Sequence, residues 1–378
     1  MDVNKLSKLY ESDGKTQFTK RICGLINEGK INENNFSLKN LWEAVGRPSF
    51  SREKIITESY GSDEEVTEAL SSTAFPKITG ALINKVIQKA YDLEGGVGMS
   101  LVNKIPSSQR EETIVGYTDD MNMKEIPEGM EYSEGSIGEK YHKIKNRKFG
   151  RIIALTEEMI KFDQTGQMIM RAKRIGEMAR YKQEEIIFDA ILGNVNTGEY
   201  AAWRPNGTAT TLYSNTSTDP FTTATLDNLI VDTLTDQTDL TAAMAQFATF
   251  TDENGNYMKV RPKVLLVGLS LLAIANEIVN SGQSTTLTAP SGNKNIYTGM
   301  QVADSTFVDN VKGASYWYLG DFKKQFIYTE VFPLQTLQAK AGNSDEFKRD
   351  TIFQYKARFM GGCGAVTNRY AVQSTGAG

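Results

Sequence analysis

One histidine, His142, and two cysteines, Cys23 and Cys363, carry all the imidazole and thiol chemistry of this sequence. A Ser-His or Cys-His nucleophilic device would have to use His142 as its base. That residue lies in Lys140-Tyr141-His142-Lys143-Ile144-Lys145-Asn146-Arg147-Lys148, where neighbouring cations disfavour its protonated form. The pattern reads as an exposed strand histidine. A multi-His or Cys-cluster zinc site cannot be assembled from so few ligands, and at most one disulfide is available.

The glycine motifs fail on their spacing. Asp13-Gly14-Lys15-Thr16 ends like a phosphate-binding loop, but Leu9 stands where the earlier glycine is required. A helix ending at Gly14 fits better. In Gly95-Gly96-Val97-Gly98 the third dinucleotide glycine falls on Leu101, so the cluster reads as a flexible joint. Gly268-Leu269-Ser270 is followed by Leu271-Leu272 and forms no nucleophile elbow. Carboxylate pairs such as Glu111-Glu112, Asp119-Asp120 and Glu157-Glu158 are sequence neighbours, as in solvated turns and helix starts. No catalytic, cofactor or metal site is expected.

The 378 residues predict two or three domains. With 42 Lys and Arg against 46 Asp and Glu, the chain lacks the cationic excess of a dedicated DNA-binding protein. The N-terminus has no signal-peptide core, and the apolar run from Val264 to Ala275 is too short to span a bilayer. A soluble protein assembled in a reducing cytoplasm is expected.

Charge is distributed unevenly. Residues 111–139 hold nine acids and one base, net −8, and residues 140–182 hold twelve bases and four acids, net +8. The acidic part has a turn at Pro127-Glu128-Gly129, and the basic part opens with Ile144, Phe149 and Ile152–Leu155 in a strand-like run. Together they predict a long, polar β-hairpin with little core of its own, unstable alone in water. Such an arm is expected to lie on another surface, its charge blocks choosing register and partner. We expect intersubunit or DNA contacts from Glu125, Glu128, Glu131, Glu134, Lys143, Lys145, Arg147, Lys148, Arg171, Lys173 and Arg174.

Around the arm, residues 1–74 read as a helical segment ending in a polar linker near Ser59–Glu65. Leu82, Ile83, Val86, Ile87 and Ala90 form an amphipathic stripe. Thr156-Glu157-Glu158 starts a helix, with acids at the positive end of its dipole. A spine helix is expected from about Gly166 to Leu192, through Met168, Ala172, Ile175, Ala179, Ile186 and Ala190. Residues 194–220 read as loop. An α/β segment follows, with a helix near 225–247, a strand at Val264–Val267, a helix at Ser270–Val279, and strands at Tyr316–Leu319 and Phe326–Phe332. Thr351–Phe359 alternates as a strand, Gly361-Gly362-Cys363-Gly364 reads as a bend, and a last strand runs through Tyr370.

Four stretches, in this order, carry a family likeness. They are Phe149-Gly150-Arg151-Ile152-Ile153-Ala154-Leu155-Thr156-Glu157-Glu158-Met159-Ile160, Arg261-Pro262-Lys263-Val264-Leu265-Leu266-Val267, Tyr316-Trp317-Tyr318-Leu319-Gly320-Asp321, and Phe353-Gln354-Tyr355-Lys356-Ala357-Arg358-Phe359 with Gly362 and Ala365. The sequence over residues 75–375 resembles the major capsid proteins of tailed bacteriophages, with the HK97-like fold, and in pattern the Mu-type head subunits most.

The resemblance implies an α+β architecture: an N-terminal arm (75–110) after the helical segment 1–74, an extended β-hairpin loop (111–160), a peripheral domain with the spine helix (161–222 and 340–378), and an axial domain (223–339). It implies self-assembly through hexamers and pentamers into an icosahedral virion shell around double-stranded DNA, with the DNA held non-specifically. Portal, scaffold, protease and decoration proteins are further possible partners, and no membrane is involved. Relatives can lose an N-terminal segment to a protease, and Ser71-Ser72-Thr73-Ala74 is a small-residue stretch suited to cutting; we expect a retained arm. Relatives can also cross-link an arm lysine to an asparagine, for which Lys124 and Lys140 are available. The alternatives are an encapsulin-type nanocompartment shell and an oligomeric α/β enzyme acting through carboxylates.

Overall fold

The structure is a computed structural model describing residues 3–31, 36–46, 74–93, 95–119, 125–132, 137–215, 217–218, 225–252, 255–281, 295–340 and 350–377. The expected linker at 59–65, the stretch Ser71-Ser72-Thr73, Lys124 and Glu134 lie outside these residues. The chain divides into two compact units, residues 1–95, 148–181 and 332–359, and residues 96–147, 182–331 and 360–378. Three long elements, the spine helix and two 15-residue strands, each contribute residues to both units, so a unit can change inside an element.

In the first unit, helix α1 (Val3–Asn27) is interrupted at Gly14, whose φ of 67° and ψ of 161° break the helical path where the glycine was expected to stop it. Helices α2 (Leu38–Gly46) and α3 (Ala74–Leu93) pack with it. The expected stripe of α3 is its core face: Leu82, Ile83, Val86, Ile87 and Ala90 are all buried. Phe75 meets Phe353 at 6.4 Å, and the Thr79 hydroxyl hydrogen-bonds Tyr355 at 2.5 Å.

A short helix α4 (Gly98–Leu101) leads to strands β1 (Asn103–Pro106), β2 (Glu111–Asp119), β3 (Ile137–Lys145) and β4 (Arg147–Thr156). Helix α5 (Glu157–Lys161) is capped as expected, the Thr156 side chain accepting from the Met159 amide. Spine helix α6 (Thr165–Ile191) has 27 residues, close to the expected span and roughly 40 Å long. At Gly176 it crosses the Ile87 carbonyl and Ala90 of α3 so closely that a β-carbon has no room.

The second unit is organised by a five-stranded sheet in the order β7 (Leu229–Ile230), β13 (Ala371–Ser374), β10 (Trp317–Gly320), β8 (Val264–Val267), β9 (Gln301–Asp304). A small ladder, β5 (Ser217–Thr218) with β6 (Thr225–Leu226), stands apart. Strand β10 is buried on both faces and antiparallel to β13 and β8, with Trp317 opposite Ser374 and Val267. Alternation along the strands sorts the core into two layers. Leu265, Val267, Trp317, Leu319 and Val372 pack under helices α7 (Gln237–Ala248) and α8 (Leu272–Asn280). Leu266, Tyr318 and Ala371 pack with Ile187, Phe188 and Ile191 of α6 and with Trp203 and Tyr213.

The segment also holds α9 (Thr306–Val311) and α10 (Phe322–Gln325). A second sheet has the order β1, β11 (Phe326–Lys340), β12 (Thr351–Ala365), β4.

Three expectations need correction. The helix near 225–247 begins only at Gln237, because Asp236 and Asp239 form a capping box that fixes its start. The glycines at 361–364 do not bend the chain, since β12 runs through them to Ala365. A β-carbon at Gly361 would lie 2.8 Å from the Thr329 carbonyl oxygen, and one at Gly362 2.6 Å from that of Lys145. These glycines allow close backbone approach instead. The last strand starts after Tyr370, at Ala371.

Candidate assembly surfaces

Strands β2 and β3 form the expected antiparallel hairpin, in a register that sets Glu111 opposite Lys145 and Gly116 opposite Lys140. Its base is fastened by groups from residues 199–207. Arg204 donates to Glu111 at 2.7 Å, and Lys143 approaches the same carboxylate at 3.5 Å. The hydrogen bond from Arg204, opposed in part by desolvation, and the two nearby cations hold the Glu111 carboxyl below its usual range. Arg204 also donates to the carbonyls of Glu199 and Gly207, each at 3.2 Å, and its side chain is only 11% exposed. Lys145 pairs with Glu199, and the Tyr200 ring lies 5.5 Å from the Lys145 ammonium and 4.8 Å from the Arg147 guanidinium.

Backbone bonds complete this collar. The Lys143 amide donates to Arg204 at 3.2 Å, and the Asn206 amide donates to Tyr141 at 2.8 Å. His142 bridges to Pro205 and is 4% exposed, which overturns the expectation of an exposed histidine. It sits on a strand as expected, but residues 204–206 pair along the edge of that strand away from β2. Desolvation first, and Lys140 second, push its pKa down to about 4. Asn146, the single residue between β3 and β4, anchors the hairpin. Its Nδ2 donates to Gln109 at 2.8 Å and Ser107 at 3.1 Å, and its Oδ1 accepts from Thr329 at 2.6 Å.

The described end of the arm is different. Met130 donates to the Pro127 carbonyl at 3.1 Å, and Gly129 has a φ of 88°, closing the expected turn. Glu125, Glu128 and Glu131 are exposed, and beside them Met130 and Tyr132 stand open to solvent, Tyr132 to 86%.

The cations of α6 also point outward. Arg171, Lys173 and Arg174 are exposed, and Glu177 is 3.7 Å from Lys173 and 3.6 Å from Arg174. Met170, Met178 and Tyr181 are exposed on the same side of the helix, Met170 to 72%. Lys148 is exposed on β4. The structure thus separates the expected contact residues: Lys143, Lys145 and Arg147 are engaged within the chain, while the arm glutamates and the spine cations face solvent.

Sequence reasoning missed Glu199, Tyr200, Trp203 and Arg204 by treating 194–220 as plain loop. The one signal was a tryptophan and an arginine before Pro205 in an otherwise polar stretch; Trp203 is 1% exposed. Among the described residues there is no group of three or more His, Cys, Asp or Glu suited to a metal ion, and no helix long and apolar enough to cross a membrane.

A collared arm on a mixed α+β frame is the geometry of a protein whose chemistry is contact. A family model described as phage capsid protein matches residues 141–374, and the chain belongs to that family. It is a major capsid shell protein, and the nanocompartment and enzyme readings are not favoured. Among solved structures, one from Gordonia phage Cozz is similar, with 13% identity, a TM-score of 0.46, and coverage of 74% of this chain and 85% of that one. Another, from Mycobacterium phage Che8, has 13% identity, a TM-score of 0.44, and coverage of 75% and 92%. The capsid of a native GTA particle has 8% identity, a TM-score of 0.45, and coverage of 73% and 88%. No curated protein sequence matches the chain.

Proposed function

We propose that this capsid protein closes an icosahedral shell, of the HK97-like kind, around double-stranded DNA by laying the acidic end of its arm on the spine helix of a neighbouring copy. The observation that carries the reading is the match between two solvent-facing surfaces. Glu125, Glu128 and Glu131 flank exposed Met130 and Tyr132, while Arg171, Lys173 and Arg174 flank exposed Met170, Met178 and Tyr181. Each surface offers apolar contact within charges of one sign, which suits a protein interface. A head-to-tail contact of this kind builds closed rings and shells. Residues 111–160 act as the extended loop, 161–222 with 340–378 as the peripheral domain and 223–339 as the axial domain. Assembly takes place in the bacterial cytoplasm, with portal, scaffold, protease and decoration proteins as the partners such shells use.

The test is negative-stain microscopy of purified protein under assembly conditions. Large closed particles are expected; small rings alone would sink the reading. A double reversal then tests the pairing. Glu125, Glu128 and Glu131 changed to Lys should block assembly, and adding Arg171→Glu, Lys173→Glu and Arg174→Glu should restore it. The second reading, spine cations on DNA, is favoured by their excess positive charge. It predicts that spine reversal alone leaves particles intact but poorly filled.

A further inference from the structure

We propose that the helices of residues 3–31 and 36–46 are a non-covalently seated part of the shell subunit, latched by Asp163, and stay on it even when the chain between 46 and 74 is cut. The seat has an apolar floor. Phe18, Ile22 and Ile26 of α1 and Leu38 and Leu41 of α2 are buried, and α1 and α2 both pack on α3. At the end of α1 the Lys85 ammonium of α3 binds the Ile26 carbonyl, supplying a cation where helix carbonyls lack partners.

The latch is at the start of α2. Asp163 occupies the junction of α5 and α6 with a φ of 49°, a left-handed conformation that costs energy for a residue other than glycine. Its carboxylate accepts from the Ser37 hydroxyl at 2.7 Å and from the Thr165 hydroxyl at 2.7 Å. Those hydroxyls in turn accept from α2 amides, Ser37 from Asn40 at 3.1 Å and Thr165 from Leu38 at 2.9 Å. One carboxylate thereby orders two caps and places negative charge at the positive end of α2. The relay joins residues 126 apart in sequence, so it does not depend on the intervening chain.

The experiment inserts a specific protease site after Tyr60 in the full-length chain and confirms complete cutting on a denaturing gel. Native size-exclusion chromatography with intact-mass detection then follows the N-terminal piece. Co-elution with the remainder is expected; elution of the N-terminal piece alone overturns the proposal. Asp163→Ala should release the piece, and Asp163→Asn should retain it partly. In the uncut chain, Ser37→Ala and Asp163→Ala should speed hydrogen exchange of α2 amides by about tenfold or more, the loss of a charge-assisted hydrogen bond. Unchanged exchange and unchanged retention in both variants would remove Asp163 from the role. The measurement does not require particles, so its failure is distinguishable from failure of the shell reading.

Discussion

Two cationic stretches look alike in sequence and behave oppositely in the structure. Lys143, Lys145 and Arg147 belong to strands whose flank is covered by residues 199–207, and each meets a carboxylate or an aromatic ring of its own chain. Arg171, Lys173 and Arg174 ride the outer side of a helix, and among the described residues their polar contacts are with Glu177 and, weakly, the Met159 sulfur. The difference teaches that a charge block reports potential for contact but not who supplies the partner. On this hairpin a diagonal glutamate and the covering residues 199–207 take the charge; on an amphipathic helix the polar side is left to solvent or to another molecule.

The largest expected effect lies in the collar. Arg204→Ala removes three donated hydrogen bonds, to the Glu111 carboxylate and to the Glu199 and Gly207 carbonyls, and leaves Glu111 without its closest partner, so it should lower folding stability by about 3 kcal/mol. Chemical denaturation measures this; a loss below about 1 kcal/mol would break the contrast, placing Arg204 with exposed ion pairs.

Next comes His142. Its folded pKa of about 4 lies below the unfolded value near 6.5, so the native state binds its proton later than the unfolded chain does. Stability is therefore full above about pH 6.5 and falls as pH drops towards 4, by up to about 3 kcal/mol. Glu111 and Asp163, whose carboxyls are held below their usual range, contribute stability above the unfolded carboxylate pKa and lose it only at lower pH. Between about pH 6.5 and 4.5 the histidine acts together with Asp189, whose carboxyl pKa is raised by burial and which opposes the loss as pH falls, so the comparison with a histidine-free variant is what separates the two. Denaturation midpoints should drop across this window in the wild type and lose that drop in His142→Gln.

Periodicity made the frame legible: the α3 stripe, the spine helix within a residue at each end, the capped α5, the hairpin with its turn, and strand β8. Composition also marked Gly14 as a helix break. What periodicity could not show was contact at long range. The glycines of 361–364 look like a bend because glycine is permissive, but here the absent side chains admit two neighbouring backbones. Leu229-Ile230 looks helical by its apolar residues, and only pairing with β13 makes it a strand. At the candidate site, the arm and the spine cations could be picked out, but Glu199, Tyr200 and Arg204, which engage Lys145, Arg147 and Glu111, lie more than fifty positions away in sequence.

Within the collar, a smaller effect comes from Tyr200. Tyr200→Ala removes one ring shared by Lys145 and Arg147 and should cost about 1 kcal/mol. No measurable loss would show that ion pairs alone hold the base.

The smallest effect on folding belongs to the spine, where it is also the most informative. The side chains of Lys173 and Arg174 are 62% and 70% exposed, so replacing each with Glu should change stability by no more than about 0.5 kcal/mol. The same change reverses the sign of the surface proposed to receive a neighbour's arm, and like charges across an interface cost several kcal/mol. A protein that unfolds like the wild type but no longer forms particles is the expected result. If instead both folding and assembly were unaffected, the spine cations would be free for DNA, and the arm's acids would need another partner.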